Sequence, residues 1–166
     1  MINISLRFRL PNGLGSLVLS PTVLTHFEAH KQLKCLASEA GGQLFATFEN
    51  WSIMNIVDVT GPRPTDKRSM FRYQPDRIAE NAEIREQFAR GLHFVGDWHT
   101  HKQRVPMPSS TDENSIRELV QRSSYDLAGF VLVVVGQTEF PNGLHVSFHT
   151  KTGSTILRAN TNDESI

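Results

Sequence analysis

The stretch from Trp98 to Asp112 reads WHTHKQRVPMPSSTD and holds His99, His101, Ser109 and Asp112. The histidines stand at i and i+2 at the end of the run HFVGDWHT. On a β-strand such a pair projects from one face, so both imidazoles can turn toward one point. Imidazole nitrogen binds zinc at about 2.0–2.1 Å, and a carboxylate oxygen does so at about 2.0–2.2 Å. Asp112 falls in the first turn of a predicted helix, and Pro106 and Pro108 stiffen the loop that must return it to the histidines. Two imidazoles and one carboxylate leave the fourth tetrahedral position open to water. That is the ligand set of a catalytic zinc rather than a structural one. Other divalent ions accept the same donors.

Each residue also has a plainer reading. The chain has seven histidines, so an isolated His-x-His says little. The serine and aspartate at fixed offsets make the combination informative. Ser109 by itself fits a helix start as well as catalysis, and Ser110 with Glu113 makes a possible capping box.

The elements that must position these residues follow from pattern. INISLRF and SLVLS flank PNGLG, which predicts an N-terminal hairpin. Ser20 and Pro21 fit an N-cap and first helical position, and the helix is predicted to run to about Ala40 and stop at Gly41-Gly42. QLFATF and SIMNIVDV read as strands, and TGPRPTDKRSMFRYQP reads as a loop. DRIAENAEIREQFAR is a predicted helix, HFVGDWHT a strand, and STDENSIRELVQR a second helix with Ile116, Leu119 and Val120 on one face. AGFVLVVVG is apolar throughout, which predicts a central strand covered on both sides, with LHVSFHT as its hairpin partner. Tight turns between neighbouring strands, interleaved with helices, predict an α/β fold with a mixed, mostly antiparallel β-sheet packed by helices.

A length of 166 residues suits one domain, expected over residues 1–160 with 161–166 as a loose tail. Lys and Arg total 17, as do Asp and Glu, and no basic run stands out. Nucleic acid and membrane surfaces therefore have no electrostatic footprint. No segment approaches the apolar length of a membrane span, and the N-terminus lacks the pattern of a signal peptide. A single cysteine, Cys35, permits no internal disulfide and reads as a small buried residue on the first helix. A cytoplasmic location is expected.

The pattern His-x-His, seven residues, Ser-x-x-Asp resembles the signature of the JAMM (MPN+) metalloproteases, also called the JAB domain. That family carries a glutamate at the end of its first helix, before a Gly-rich step into a strand, and SEAGGQLFA supplies Glu39 in that position. The resemblance runs from the N-terminal hairpin to VSFHT and implies the JAB/MPN, cytidine-deaminase-like fold. It implies one Zn2+ per chain on His99, His101 and Asp112. It makes Glu39 the general base that takes a proton from water and returns it to the leaving amine, and Ser109 the hydrogen-bond donor to the developing oxyanion. Without the resemblance, Glu39 would read as an exposed helix-end carboxylate. Lys102 departs from the proline that many family members have after the second histidine, which bears on loop shape and substrate choice.

Family members cleave ubiquitin or ubiquitin-like proteins at a C-terminal glycine, usually at an isopeptide bond to lysine. The short form, with VGDWHTH and the GPRPTDKRS loop, is similar to bacterial JAB proteins found in operons with E1- and E2-like proteins, including CBASS antiphage systems. This implies an isopeptidase acting on a conjugated ubiquitin-like or CD-NTase-type protein, with a protein substrate bearing an extended C-terminal tail and E1/E2-like proteins as partners. Three alternatives stand beside it: processing of a ubiquitin-like sulfur-carrier protein, a RadC-like DNA-associated role and a non-catalytic MPN scaffold. The absence of a basic segment argues against the second, and the complete ligand set argues against the third. In active members the segment corresponding to Thr60–Gln74 grips the substrate tail. Here Arg63, Arg68, Phe71 and Arg72 are the substrate-binding candidates, with Lys67 and Tyr73 beside them. A solvated surface loop is the plainer reading.

Overall fold

A computed structural model of the chain describes residues 1–160. The expected hairpin forms from β1 (Leu6–Arg9) and β2 (Ser16–Leu19), joined through a 3-10 turn at Pro11–Gly13. Ser20 caps α1 (Pro21–His30) by accepting the Val23 N–H, with Pro21 opening the helix.

This helix ends at His30, not near Ala40. Residues 31–40 contain good helix formers, but tertiary bonds outcompete the helix. The Lys31 ammonium pairs with Glu28 at 2.6 Å, donates to the Thr138 carbonyl at 2.9 Å and lies 4.2 Å over the Phe140 ring. Gln32 is buried, its side chain hydrogen-bonded to Ala37 within this segment and to Met70 and Thr100 in two others. One further expectation falls with the helix. Cys35 is exposed rather than buried, as are Leu33 and Leu36 beside it.

β3 (Gly41–Glu49) and β4 (Ile53–Val59) follow as an antiparallel pair. The stretch read as a loop contains a small hairpin of its own, β5 (Lys67–Ser69) with β6 (Arg72–Gln74), separate from the main sheet. Its strands are three residues each, too short for a period-2 pattern to register. α2 (Arg77–Ala89) starts at Asp76, whose side chain accepts the N–H groups of Ile78 and Ala79. β7 (His93–Thr100), α3 (Ser110–Arg122), β8 (Phe130–Val135) and β9 (Leu144–Thr150) lie where the sequence places them. β10 (Gly153–Leu157) was not foreseen, because only Leu157 of its five residues is buried.

The main sheet has the order β1-β2-β4-β3-β7-β8-β9-β10. Only β2–β4 and β7–β8 run parallel, so the sheet is mixed and mostly antiparallel. β8 is buried at all six positions, as an unbroken apolar run requires. One face of the sheet packs on α1, where the Phe27 and Trp98 rings lie 5.1 Å apart in the larger core cluster. The other face carries Phe45, Phe94, Leu132 and Val134 against Ile116 and Val120 of α3. Each such large apolar side chain contributes about 1.5–3 kcal/mol by leaving water. The sheet curls far enough that Ala159, beyond β10, bridges Phe8 of β1, and the Asn160 N–H donates to the Arg7 carbonyl at 2.8 Å.

Gly42 is fixed by a close approach. A Cβ there would meet the Thr60 carbonyl oxygen at 1.8 Å, so no other residue lets the 60–62 segment cross the start of β3. No described helix is long and apolar enough to cross a membrane.

Candidate active site

Strand alternation puts Asp97, His99 and His101 toward the face covered by α2 and α3, and Trp98 and Thr100 toward α1. Trp98 anchors the strand from behind, its indole N–H donating to the Thr60 carbonyl at 2.9 Å. His101 lies just past β7, but its N–H still bonds the Val135 carbonyl at 2.9 Å, so it keeps the strand's register. The following loop is pinned at two further points. The N–H groups of Gln137 and Thr138 bond the carbonyls of Gln103 and Arg104.

The loop delivers α3 with its N-terminus at the histidines. Ser109 is the N-cap, and its Oγ accepts the Asp112 N–H at 3.2 Å. Asp112 Oδ2 reaches back to the Ser109 N–H at 2.6 Å. The capping box is thus Ser109 with Asp112, one residue earlier than the Ser110–Glu113 pair that the sequence suggests. The same Oδ2 lies 3.2 Å from His99 Nε2 and 3.2 Å from His101 Nε2, and the two nitrogens are 3.2 Å from each other. Three donors on a tetrahedral ion at about 2.0–2.1 Å stand about 3.3–3.4 Å apart. An almost equilateral triangle of this size, made of two imidazoles and one carboxylate, fits that ion closely, and it forms the only such group among the described residues. Burial would raise the Asp112 carboxyl, but hydrogen bonds from His101 and His99 and the Ser109 N–H hold it well below the usual carboxylate range. His101 Nδ1 lies 3.4 Å from Gln103 Oε1, a contact that favours the tautomer leaving Nε2 free for the ion.

Glu39 reaches this place by a route the sequence misjudged. It lies in extended chain just before β3, not at a helix end. Its backbone is held by β5: the Glu39 N–H donates to the Ser69 carbonyl at 2.8 Å, and Arg68 Nε donates to the Glu39 carbonyl at 2.5 Å. Its carboxyl lines one cavity of about 610 Å³ together with His99, His101, Ser109 and Asp112. Burial pushes that carboxyl up to about 7, with His101 opposing and Asp112 adding to the effect. A carboxyl group poised near neutrality can both take and return a proton.

The other candidates divide. Phe71, three-quarters exposed, and Arg72 line the cavity mouth with Tyr73. Arg68 is committed to the Glu39 carbonyl. Arg63 does not line the cavity. Its buried guanidinium pairs with Glu83 of α2 through both Nε and Nη2 and reaches the Tyr73 hydroxyl at 3.3 Å. It joins the hairpin to α2 instead of facing a substrate. Lys102, in the position where many relatives have proline, donates to the Cys35 carbonyl at 2.5 Å and so ties two loops together. Sequence reasoning also left Asp97 unassigned. The structure places it on the cavity wall with Arg77 and Glu80 of α2, where burial first and Glu80 second push its carboxyl up to about 7. Its position two residues before His99 was the available signal. Gln32 and Gln103 carried none.

Comparison with known proteins agrees with this geometry. Residues 22–148 match the family described as prokaryotic homologs of the JAB domain. A protein of Vibrio cholerae named CD-NTase/cGAS isopeptidase is 29% identical over 126 residues, covering 74% of this chain and 78% of the relative. A Pseudomonas aeruginosa protein of the same name is 29% identical over 139 residues, covering 81% and 83%. An Enterobacter hormaechei protein, again of that name, is 27% identical over 131 residues, covering 78% and 72%. The solution structure of a Desulfitobacterium hafniense protein shares the fold at a TM-score of 0.58 and 17% identity, over 83% of this chain and 87% of that one. With the family match spanning most of the sequence, the chain belongs to the prokaryotic homologs of the JAB domain.

Proposed function

We propose that the chain is a zinc-dependent isopeptidase that releases a protein joined through its C-terminal residue to a lysine, the conjugated partner being of the CD-NTase type or ubiquitin-like. The observation that carries this reading is the 3.2 Å triangle of His99, His101 and Asp112 in the same cavity as a carboxyl raised to about 7. The names of the three bacterial relatives support the substrate class.

A divalent ion held by this triangle would acidify a bound water and polarise the scissile carbonyl. The chain's own residues do the rest. Glu39 takes the proton and returns it to the departing lysine amine. Such a base contributes roughly 10²–10⁴ in rate. The Ser109 Oγ lone pair is used by the Asp112 N–H, which leaves its hydroxyl hydrogen for the oxygen that becomes negative. An extended tail pairs with the hairpin β5–β6 through main-chain bonds, and Phe71 and Arg72 flank its path. The family context favours a cytoplasmic setting alongside E1- and E2-like proteins in antiphage defence.

The test uses a glycine–lysine isopeptide on an extended peptide. Purified protein should hold about one zinc per chain, lose cleavage to a chelator and regain it with zinc. Glu39→Gln should keep the metal and lose at least a hundredfold in kcat. Full cleavage by metal-free protein, or loss of the metal in Glu39→Gln, overturns the assignment.

A further inference from the structure

Gln32 lies at the start of the segment where a helix was expected. It is 1% exposed, yet it carries a carboxamide rather than an apolar side chain. A buried amide is tolerated only with its hydrogen bonds made, and here they go to three separate pieces of chain. Nε2 donates to the Ala37 carbonyl at 3.0 Å and to the Met70 carbonyl at 3.0 Å. Oε1 accepts the Thr100 hydroxyl at 3.1 Å. Each partner adjoins a residue of the site. Ala37 is two residues before Glu39, Met70 lies at the hairpin tip beside Phe71, and Thr100 stands between His99 and His101.

Thr100 extends the connection. Its Oγ1 accepts the Ala40 N–H at 2.9 Å, and its own N–H donates to the Ala40 carbonyl at 2.8 Å. The segment that carries Glu39 is therefore gripped on both sides of the carboxyl group, at Ala37 by Gln32 and at Ala40 by Thr100. The far face of Gln32 is fixed too, its backbone carbonyl accepting Gln137 Nε2 at 2.8 Å. We propose that Gln32 is a positioning residue, which registers the base Glu39 and the hairpin β5–β6 against the strand bearing the histidine ligands through Thr100. A leucine or methionine would fill the same space without linking the three segments. A misplacement of about 1 Å in such an arrangement can cost about a hundredfold in rate.

The proposal rests on the isopeptidase reading for its kinetic arm only. Gln32→Met removes all three bonds at nearly constant volume. It should lower kcat about a hundredfold and raise KM for the isopeptide peptide, because base and hairpin are both released. Thr100→Val removes the hydroxyl's bonds to the Ala40 N–H and Gln32 Oε1 and so loosens the Glu39 segment, while the bonds of Gln32 to Ala37 and Met70 survive, so kcat should fall about tenfold with KM unchanged. Thr100→Ser keeps the hydroxyl and should restore kcat to within about threefold of wild type. Zinc content should stay equal in all of them. Hydrogen exchange on the metal-free proteins supplies a second readout independent of cleavage. Protection should fall over residues 37–40 and 69–71 in Gln32→Met, but only around Ala40 in Thr100→Val. Wild-type protein that cleaves nothing counts against the isopeptidase reading, and the exchange pattern still decides the clamp. A folded Gln32→Met with kcat and KM within twofold of wild type, or a Thr100→Ser as impaired as Thr100→Val, overturns the proposal. Should Gln32→Met not fold, the valine and serine pair decides it.

Discussion

Ser109 caps α3 and is also the proposed oxyanion donor, and one pair of substitutions separates the two roles. As the N-cap of α3 its Oγ accepts the Asp112 N–H at 3.2 Å. As the proposed donor to the oxyanion it would use its hydroxyl hydrogen, which the bond from the Asp112 N–H to Oγ leaves free to turn into the cavity. Replacing an N-cap serine by alanine costs about 0.5–2 kcal/mol, and by glycine only a few tenths. The site is exposed, so the lower half of that range applies, about 1 kcal/mol for Ser109→Ala. In a chain of this size that moves Tm by about 2–4 °C. Losing an oxyanion donor costs far more in the transition state, about 2.7–4 kcal/mol, or 10²–10³ in kcat. Ser109→Gly should therefore leave stability almost unchanged and still lose a hundredfold or more in kcat, with KM little altered. Ser109→Ala should lose the same rate and additionally the few degrees. The assays are thermal unfolding of both variants and steady-state cleavage of the isopeptide peptide at 25 °C. If Ser109→Gly turns over within threefold of wild type, Ser109 is a helix cap and nothing more.

Three further outcomes follow from the same geometry. Arg63→Ala leaves Glu83 and Asp66 without their cation in a largely buried setting and should cost about 3–5 kcal/mol in urea unfolding, whereas a residue serving only the substrate would leave stability intact. Phe71→Ala removes an exposed ring at the cavity mouth; if a bound tail covers it, the loss of about 1.5 kcal/mol should raise KM about tenfold with zinc content unchanged. His26 is held below its ordinary 6.5 by burial and then by His30, against the Gly61 carbonyl that accepts its Nε2 proton at 2.8 Å. Its folded pKa is depressed, so the unfolded chain binds the proton more readily. Its contribution to stability is complete above about pH 6.5 and is lost as the pH drops below it. His26→Gln should lessen the advantage of pH 7.5 over pH 5.5 in urea midpoint, and an unchanged pH slope would remove His26 from that account.

The reach of the sequence differs from element to element for identifiable reasons. β7, α3 and β8 were legible because their periodicity is strong and their ends carry turn or capping residues. The convergence of His99, His101 and Asp112 was legible with them, since it depends only on strand alternation and a helix start. Residues 31–40 were not. Their helix-forming composition is overridden by tertiary partners of Lys31 and Gln32 that lie more than 35 positions away in sequence, such as Met70, Thr100 and Thr138. Glu39 was nonetheless placed in the site by family resemblance, through the glycines that follow it, while the secondary structure around it was misread. Arg63 illustrates the opposite case. A charged residue in a loop rich in Pro and Gly suggests solvent or substrate, and nothing local reveals that Glu83 lies against it.

The bridge between Phe8 and Ala159 has a consequence for how the molecule is made. Phe8 is almost wholly buried, and its neighbours Leu6, Leu17 and Leu19 share its core. The hairpin bearing them is the first part of this sequence to leave a ribosome, whereas the segment that covers its outer edge leaves after residue 158. At about 5–20 residues per second that interval lasts on the order of ten seconds. During it β1 offers an unpaired edge and an apolar face to whatever strand comes near. Chains cut just after β10 would keep that edge open permanently, with the strands that carry the candidate site intact. Their failing would be association between copies, visible as concentration-dependent aggregation, before any loss of the candidate site on β7 and α3.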